Sequence, residues 1–169
     1  MEGGNEVFIK FFYYVRLLKT DPKARYQGYT FFFKEGFCWI FTLNESSEYQ
    51  KVRIKERTVN DVNAMALYPF SDCNNLLKYF ICLLNSYTIF HYKRNFVSSN
   101  SAFQINDARQ LPIVIPDDKS LSEFQSLFDE AITIKKQQYA GLILNKQAEK
   151  ELDRIQKIVD EKVKYLYKI

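Results

Sequence analysis

Side chains that can move a proton, hold a metal or attack a carbon are scarce among these 169 residues. His91 is the only histidine. Any triad or general base of the histidine kind would rest on it alone, and a lone histidine in an aromatic-rich helix more often serves structure. The three cysteines, Cys38, Cys73 and Cys82, are odd in number, widely spaced and without a CxxC pair. That argues against a disulfide framework and against a zinc site. Cys82 lies in an apolar run and reads as a small buried hydrophobe. Asp117-Asp118 is a carboxylate pair. Adjacent acids directly after a proline fit a helix start better than an acid–base pair. No GxGxxG or GxxxxGK[ST] loop is present to cradle a phosphate. These residues describe a binding or scaffolding module with no catalytic set, metal site or cofactor.

The chemistry that remains is that of cations and neutral hydrogen-bonding groups. Lys51, Arg53 and Lys55 alternate with Val52 and Ile54, and Arg57 follows in the next turn. Period-two alternation predicts a strand with the apolar pair on one face and the three cations on the other. Lys93, Arg94 and Asn95 end a predicted helix, and Ser98, Ser99, Asn100, Ser101 and Gln104 follow in a polar loop. Cations of this kind hold phosphates, and neutral amides and hydroxyls read base edges. The same cations equally suit a solvated strand face, and the serines a plain surface loop. Arg109 is expected to pair with Asp107 or to cap a short helix rather than to face a ligand. Tyr87, Tyr92 and Phe96 can stack on bases, but their area predicts at least two of them in the core. Residues 1–116 carry 14 Lys and Arg against 10 Asp and Glu, whereas residues 117–169 carry 10 of each. The whole positive excess lies in the first two thirds, which fits a part that faces a polyanion followed by a neutral helical tail.

The predicted elements are of mixed α+β class. Residues 7–18 fit a strand or an amphipathic helix, and Asp21-Pro22 breaks the chain after them. Tyr29–Phe33 and Phe37–Phe41 flank Lys34-Glu35-Gly36 and read as a β-hairpin. Tyr49–Ile54 and Ala64–Tyr68 are two further strands. Ser71-Asp72 can cap a helix running to Asn85, and a shorter helix covers Tyr87 to Asn95. Phe103–Ile105 reads as extended, residues 106–109 as one capped helical turn, and Leu111–Pro116 as extended between two prolines. Ser120 and Glu123 resemble a capping box. From there an apolar stripe continues for about 48 residues, as a long coiled-coil-like helix or a hairpin bent near Gly141. Such a stripe predicts self-association through residues 120–168 or folding back upon itself. The run at 7–18 is interrupted by Lys10 and Arg16 and falls short of a membrane span. With no signal-like segment and reduced cysteines, a cytoplasmic protein without membrane contact is expected.

The most distinctive stretch is Phe103-Gln104-Ile105-Asn106-Asp107-Ala108-Arg109-Gln110-Leu111-Pro112-Ile113-Val114-Ile115-Pro116. It resembles the end of the target recognition domain of adenine-specific DNA methyltransferases from restriction–modification systems, TaqI-like or type I specificity-subunit-like. There a helical turn leads into a Pro-Ile-rich stretch and then into a long spacer helix. Phe33–Trp39 resembles the hairpin that opens such domains. Leu76–Ser86, ending in Leu83-Leu84-Asn85-Ser86, resembles the helix before the DNA-facing loop. The resemblance covers roughly residues 26–169. It implies a recognition domain over residues 1–116, with 1–25 an unassigned leader, and a spacer or dimerisation region over 117–169. It further implies double-stranded DNA as partner, together with a methyltransferase or nuclease part. The family's AdoMet-binding loop and (N/D)PP(Y/F) motif are both missing from this sequence. The expected chain is therefore a fragment or a separate specificity protein, without methyl-transfer or cleavage activity of its own. The DNA-contacting residues implied are Lys51, Arg53, Lys55, Arg57, Lys93, Arg94, Asn95, Ser99, Asn100 and Gln104. The competing readings are a helical protein–protein interaction module with no DNA role and an enzyme built on His91.

Overall fold

A computed structural model describes residues 13–21, 28–60 and 63–169. The chain divides into two units, residues 1–32 and residues 33–169. In the first, residues 13–20 form helix α1, and the Thr20 hydroxyl donates to the Leu17 carbonyl at 2.9 Å. The rest of the run at 7–12 lies outside the described residues. Tyr29–Phe31 is a single 3-10 turn that starts from Gly28 in the left-handed region (φ 73°).

The second unit is α+β, with a three-stranded antiparallel sheet and helices. The sheet contains β1 (Gly36–Ile40), β2 (Arg53–Lys55) and β3 (Ala64–Leu67) in the order β2-β1-β3. The expected hairpin of residues 29–33 with 37–41 does not form. Gly36 is the reason. It is a strand residue facing Lys55, not a turn residue. A Cβ there would stand 2.3 Å from the Leu67 carbonyl oxygen. The glycine serves close approach of two strands, so the apolar run Phe37-Cys38-Trp39 becomes the buried centre of the sheet.

Ser71–Leu76 is a 3-10 segment, and the α-helix expected from Ser71 starts only at α2 (Leu77–Leu84). Next comes α3 (Tyr87–Tyr92), capped by the buried Ser86 hydroxyl, which accepts from the Ile89 N–H. A π-helical turn over Lys93–Val97 follows, then the one-turn α4 (Ile105–Ala108). Two long helices, α5 (Asp118–Tyr139) and α6 (Asn145–Tyr167), complete the chain. The cap of α5 is Asp117, whose carboxylate accepts from the Ser120 N–H at 2.7 Å. The box expected at Ser120 and Glu123 is thus displaced by three residues: the proline-bounded extended segment ends at Asp117, and Glu123 instead pairs with Lys162 on α6.

The long stripe folds back on itself. Gly141 sits at φ 70°, its N–H donates to Gln138 O at 3.0 Å, and Leu142 N–H donates to Gln137 O at 2.9 Å. This is a Schellman turn with glycine at the left-handed position. Ile155, Val159 and Val163 are buried, and Leu152 and Leu166 pack against the same core. That core is continuous from Trp39 and Phe37 through Tyr79 and Leu83 to Phe124 and Val163. Residues 117–169, expected as a region apart, therefore share one interior with the sheet. The apolar stripe that motivated self-association is used within the chain.

Candidate nucleic-acid interface

The proposed DNA-facing residues fall into two classes. Lys51, Arg53, Arg57, Arg94, Asn95, Ser99, Asn100 and Gln104 are exposed. Lys55 and Lys93 are not, at 2% and 4% exposure. The even alternation expected of residues 51–55 fails because Lys51 has φ 59° and only residues 53–55 are strand. Val52 is buried, Ile54 is turned outward and Lys55 is turned inward. The Lys55 ammonium donates to Lys34 O and Thr58 O at 2.7 Å each and to Glu56 O at 3.2 Å. The Lys93 ammonium donates to Asn100 O at 2.5 Å and Ala102 O at 2.8 Å. Burial lowers the pKa of both lysines. Their charges are spent on backbone carbonyls, because loops too irregular to pair their own carbonyls need another donor. Neither lysine is available to a phosphate, and both leave the candidate DNA-contact set.

What Lys93 holds is the loop that displays the neutral groups. Segment 98–102 is fastened at one end by the Ser98 N–H donating to Lys93 O and further along by the lysine ammonium. Leu43 N–H donates to Ser101 O, Phe103 N–H to Phe41 O, and Thr42 bridges Ala102. Trp39 Nε1 donates to Phe103 O at 2.8 Å beneath. Between residues 43–45 and 93–102 lies a groove of about 550 Å³, with Arg94, Ser99, Asn100 and Ser101 in its wall. The Arg94 guanidinium lies over the Phe90 ring at 5.8 Å and reaches Glu45 O at 3.5 Å. This leaves most of its five donors open.

Lys51 and Arg53 are positioned by Asn85, whose residue type and place in the sequence give no sign of that role. Asn85, at the end of α2, accepts from Val52 N–H and donates to Val52 O, both at 2.7 Å. The side-chain amide acts as a strand partner, holding Val52 from both sides and turning its two neighbours outward. Neither Lys51 nor Arg53 has an ion pair among the described residues. Arg57 pairs with Glu35 at 3.1 Å in full exposure. Asp160 was also missed. From the middle of the α6 apolar stripe it accepts from Tyr87 N–H at 2.8 Å and from the Tyr49 hydroxyl at 3.3 Å. It thereby ties α6 to the start of α3 and to the loop that leads to Lys51. The only sequence signal was a carboxylate interrupting an apolar period.

The other singled-out residues lie as follows. Gln104 heads α4, and its N–H donates to the Asp107 carboxylate at 2.8 Å. Arg109 donates to Asn106 Oδ1 at 3.2 Å rather than to Asp107. Burial pushes the Cys82 thiol up to about 12, which keeps it protonated and unreactive at neutral pH. Of the three aromatics expected to be mostly core, Tyr87 and Phe96 are instead exposed. The wide turn at 93–97 accounts for Phe96. With i→i+5 bonding, Val97 packs against the core and Phe96 is rotated out. No group of His, Cys, Asp and Glu among the described residues could hold a metal ion. No described helix is long and apolar enough to cross a membrane.

No protein-family profile, curated protein or solved structure matches the chain.

Proposed function

We propose that the chain is a sequence-specific DNA recognition module that works beside a methyltransferase or nuclease part of a restriction–modification system and carries no catalytic machinery of its own. The observation that carries this reading is the pinned loop 98–102. It presents Ser99, Asn100 and Ser101 outward beside Arg94, with its backbone fixed from below by a buried lysine. Base discrimination needs neutral groups in fixed geometry next to cations that hold the phosphates. Lys51 and Arg53, set by Asn85, supply further phosphate contacts. The family resemblance of residues 103–116 and 83–86 gives independent support, since both motifs hold this surface together. Ser86 caps α3, Asn85 seats Val52, and Asp107 closes the turn after the loop.

The test is a salt titration of duplex binding. Replacing Lys51, Arg53 and Arg94 together by alanine is expected to weaken binding to every sequence and to flatten the dependence of log K on log salt. Asn100→Ala is expected to change discrimination among sequences by ~1–3 kcal/mol with the salt slope intact. Unchanged affinity and slope in the triple variant would remove the surface from consideration. The second reading, a protein-docking helical module, is favoured by one feature. Tyr139, Leu142 and Leu144 are exposed around the α5–α6 turn. Wild-type chain that binds no duplex at low salt, together with complex formation with the methyltransferase part that is lost on replacing these three residues, would favour it.

A further inference from the structure

Phe96, next to the surface just described, is 76% exposed. A single exposed apolar side chain is ordinary, but this one is displayed by an uncommon backbone. The π-helical turn at Lys93–Val97 gives up regular helical bonding, and such turns concentrate at functional positions. An α-helix continued from α3 would have set residue 96 on the inward face with 89 and 93. The wide turn satisfies the core with Val97 and leaves an aromatic ring in water beside Arg94 and Asn95. The ring has an aromatic neighbour. Tyr92 lies against it with centroids 5.1 Å apart and planes at 33°. Loop 98–102 begins two residues later, and the Ser98 N–H donating to Lys93 O fixes the turn at 2.8 Å.

A planar ring displayed at the surface and backed on one side by Tyr92, with the open donors of Arg94 two residues earlier in the same turn, suits the face of a nucleobase and a phosphate near it. We propose that Phe96 is a base-stacking residue. Its ring takes the face of a DNA base that is unpaired or lies at an opened step of a bent duplex, while Arg94 holds the neighbouring phosphate. This inference rests on the DNA-binding reading and adds that the bound DNA is locally unstacked. Apolar side chains inserted at base steps kink duplexes, and aromatic platforms hold single strands irrespective of sequence.

The experiment compares wild type with Phe96→Ala, Phe96→Leu and Phe96→Trp. The probes are a mixed-sequence duplex and its separate single strand, each carrying 2-aminopurine, read by anisotropy and by fluorescence across a salt series. Because Phe96 is exposed, thermal unfolding of all four proteins should coincide. The expected result is a loss of about tenfold or more for Ala and Leu, with Trp close to wild type. The salt slope should be the same throughout, because the ring touches no phosphate. An effect confined to the single strand assigns the contact to an unpaired base. An effect on the duplex, with a 2-aminopurine rise that needs the aromatic ring, assigns it to an opened step. Equal affinity of Phe96→Ala and wild type for both probes, or rescue by Leu as full as by Trp, overturns the stacking role and leaves DNA binding standing. Failure of the wild type to bind either probe overturns both.

Discussion

The sheet-and-loop half and the helical hairpin are stabilised by opposite means. In the hairpin, apolar side chains recur at three- and four-residue steps and interlock, and one glycine turn reverses the chain. Apart from the buried Asp160, its charged groups lie toward the surface, where Lys162 with Glu123 and Arg154 with Glu130 cross between the helices. In the sheet-and-loop half, strands are short and connections long. Backbone groups that no strand can pair are met by side chains: Lys55 and Lys93 on carbonyls, and Asn85 on both groups of Val52. The difference teaches where a binding surface can be built. Regular helices pair their backbone groups internally except at their ends and offer little variety of shape. Irregular loops offer shape but need interior polar anchors to stay in one conformation.

The two regions nevertheless meet in one interior, and the largest test concerns that junction. Phe124 is 1% exposed and packs edge-on against Tyr79 at 5.1 Å. Phe124→Ala is expected to cost about 3–5 kcal/mol. Chemical denaturation of residues 33–169 should remain a single transition, and two separate transitions would divide the regions energetically. Next in size is Lys93→Met, which keeps the aliphatic stem but strands two carbonyls. A loss of about 2–3 kcal/mol is expected, with faster amide exchange confined to the neighbourhood of residues 98–102. An unchanged exchange pattern there would mean that the loop is not held by the lysine. Asn85→Ala is expected to cost about 1–2 kcal/mol and to release the segment ahead of β2, seen as exchange at Val52.

Smaller effects are expected within the hairpin. Gly141→Ala meets no steric neighbour, so its cost is that of a left-handed residue alone, about 1 kcal/mol. The smallest is pH dependence. The Ser120 N–H bonded to Asp117, and the Lys162 ammonium bonded to Glu123, hold both carboxyls below their ordinary range. The stabilisation they add is complete above an ordinary carboxyl pKa of ~4 and is lost as pH falls through the depressed values. The melting temperature should therefore drop on acidification, and less so in Asp117→Asn. Equal acid sensitivity in that variant would show that the helix cap contributes nothing to it.

Much of the helical half was legible in the sequence. The three-and-four period, the glycine near its middle, the aspartates after Pro116 and the burial of Cys82 all depend on local spacing, which a sequence displays directly. The mixed class followed from the change of period along the chain. The sheet half was read less well, because its determinants are contacts between distant residues. Gly36 looks like a turn residue until Leu67 lies beside it. Lys55 and Lys93 look like surface cations until the carbonyls of neighbouring loops close over them. A period-two pattern assigns faces only where the strand is regular, and Lys51 at positive φ ends that regularity. Area alone predicts burial for at least two of Tyr87, Tyr92 and Phe96 without saying which, and only the extra residue in the turn after α3 directs Phe96 outward. The sequence by itself determined the elements whose stability is local and periodic. The tertiary structure alone decided which cations face solvent, because burial of a charge depends on the polar groups that the rest of the chain brings to it.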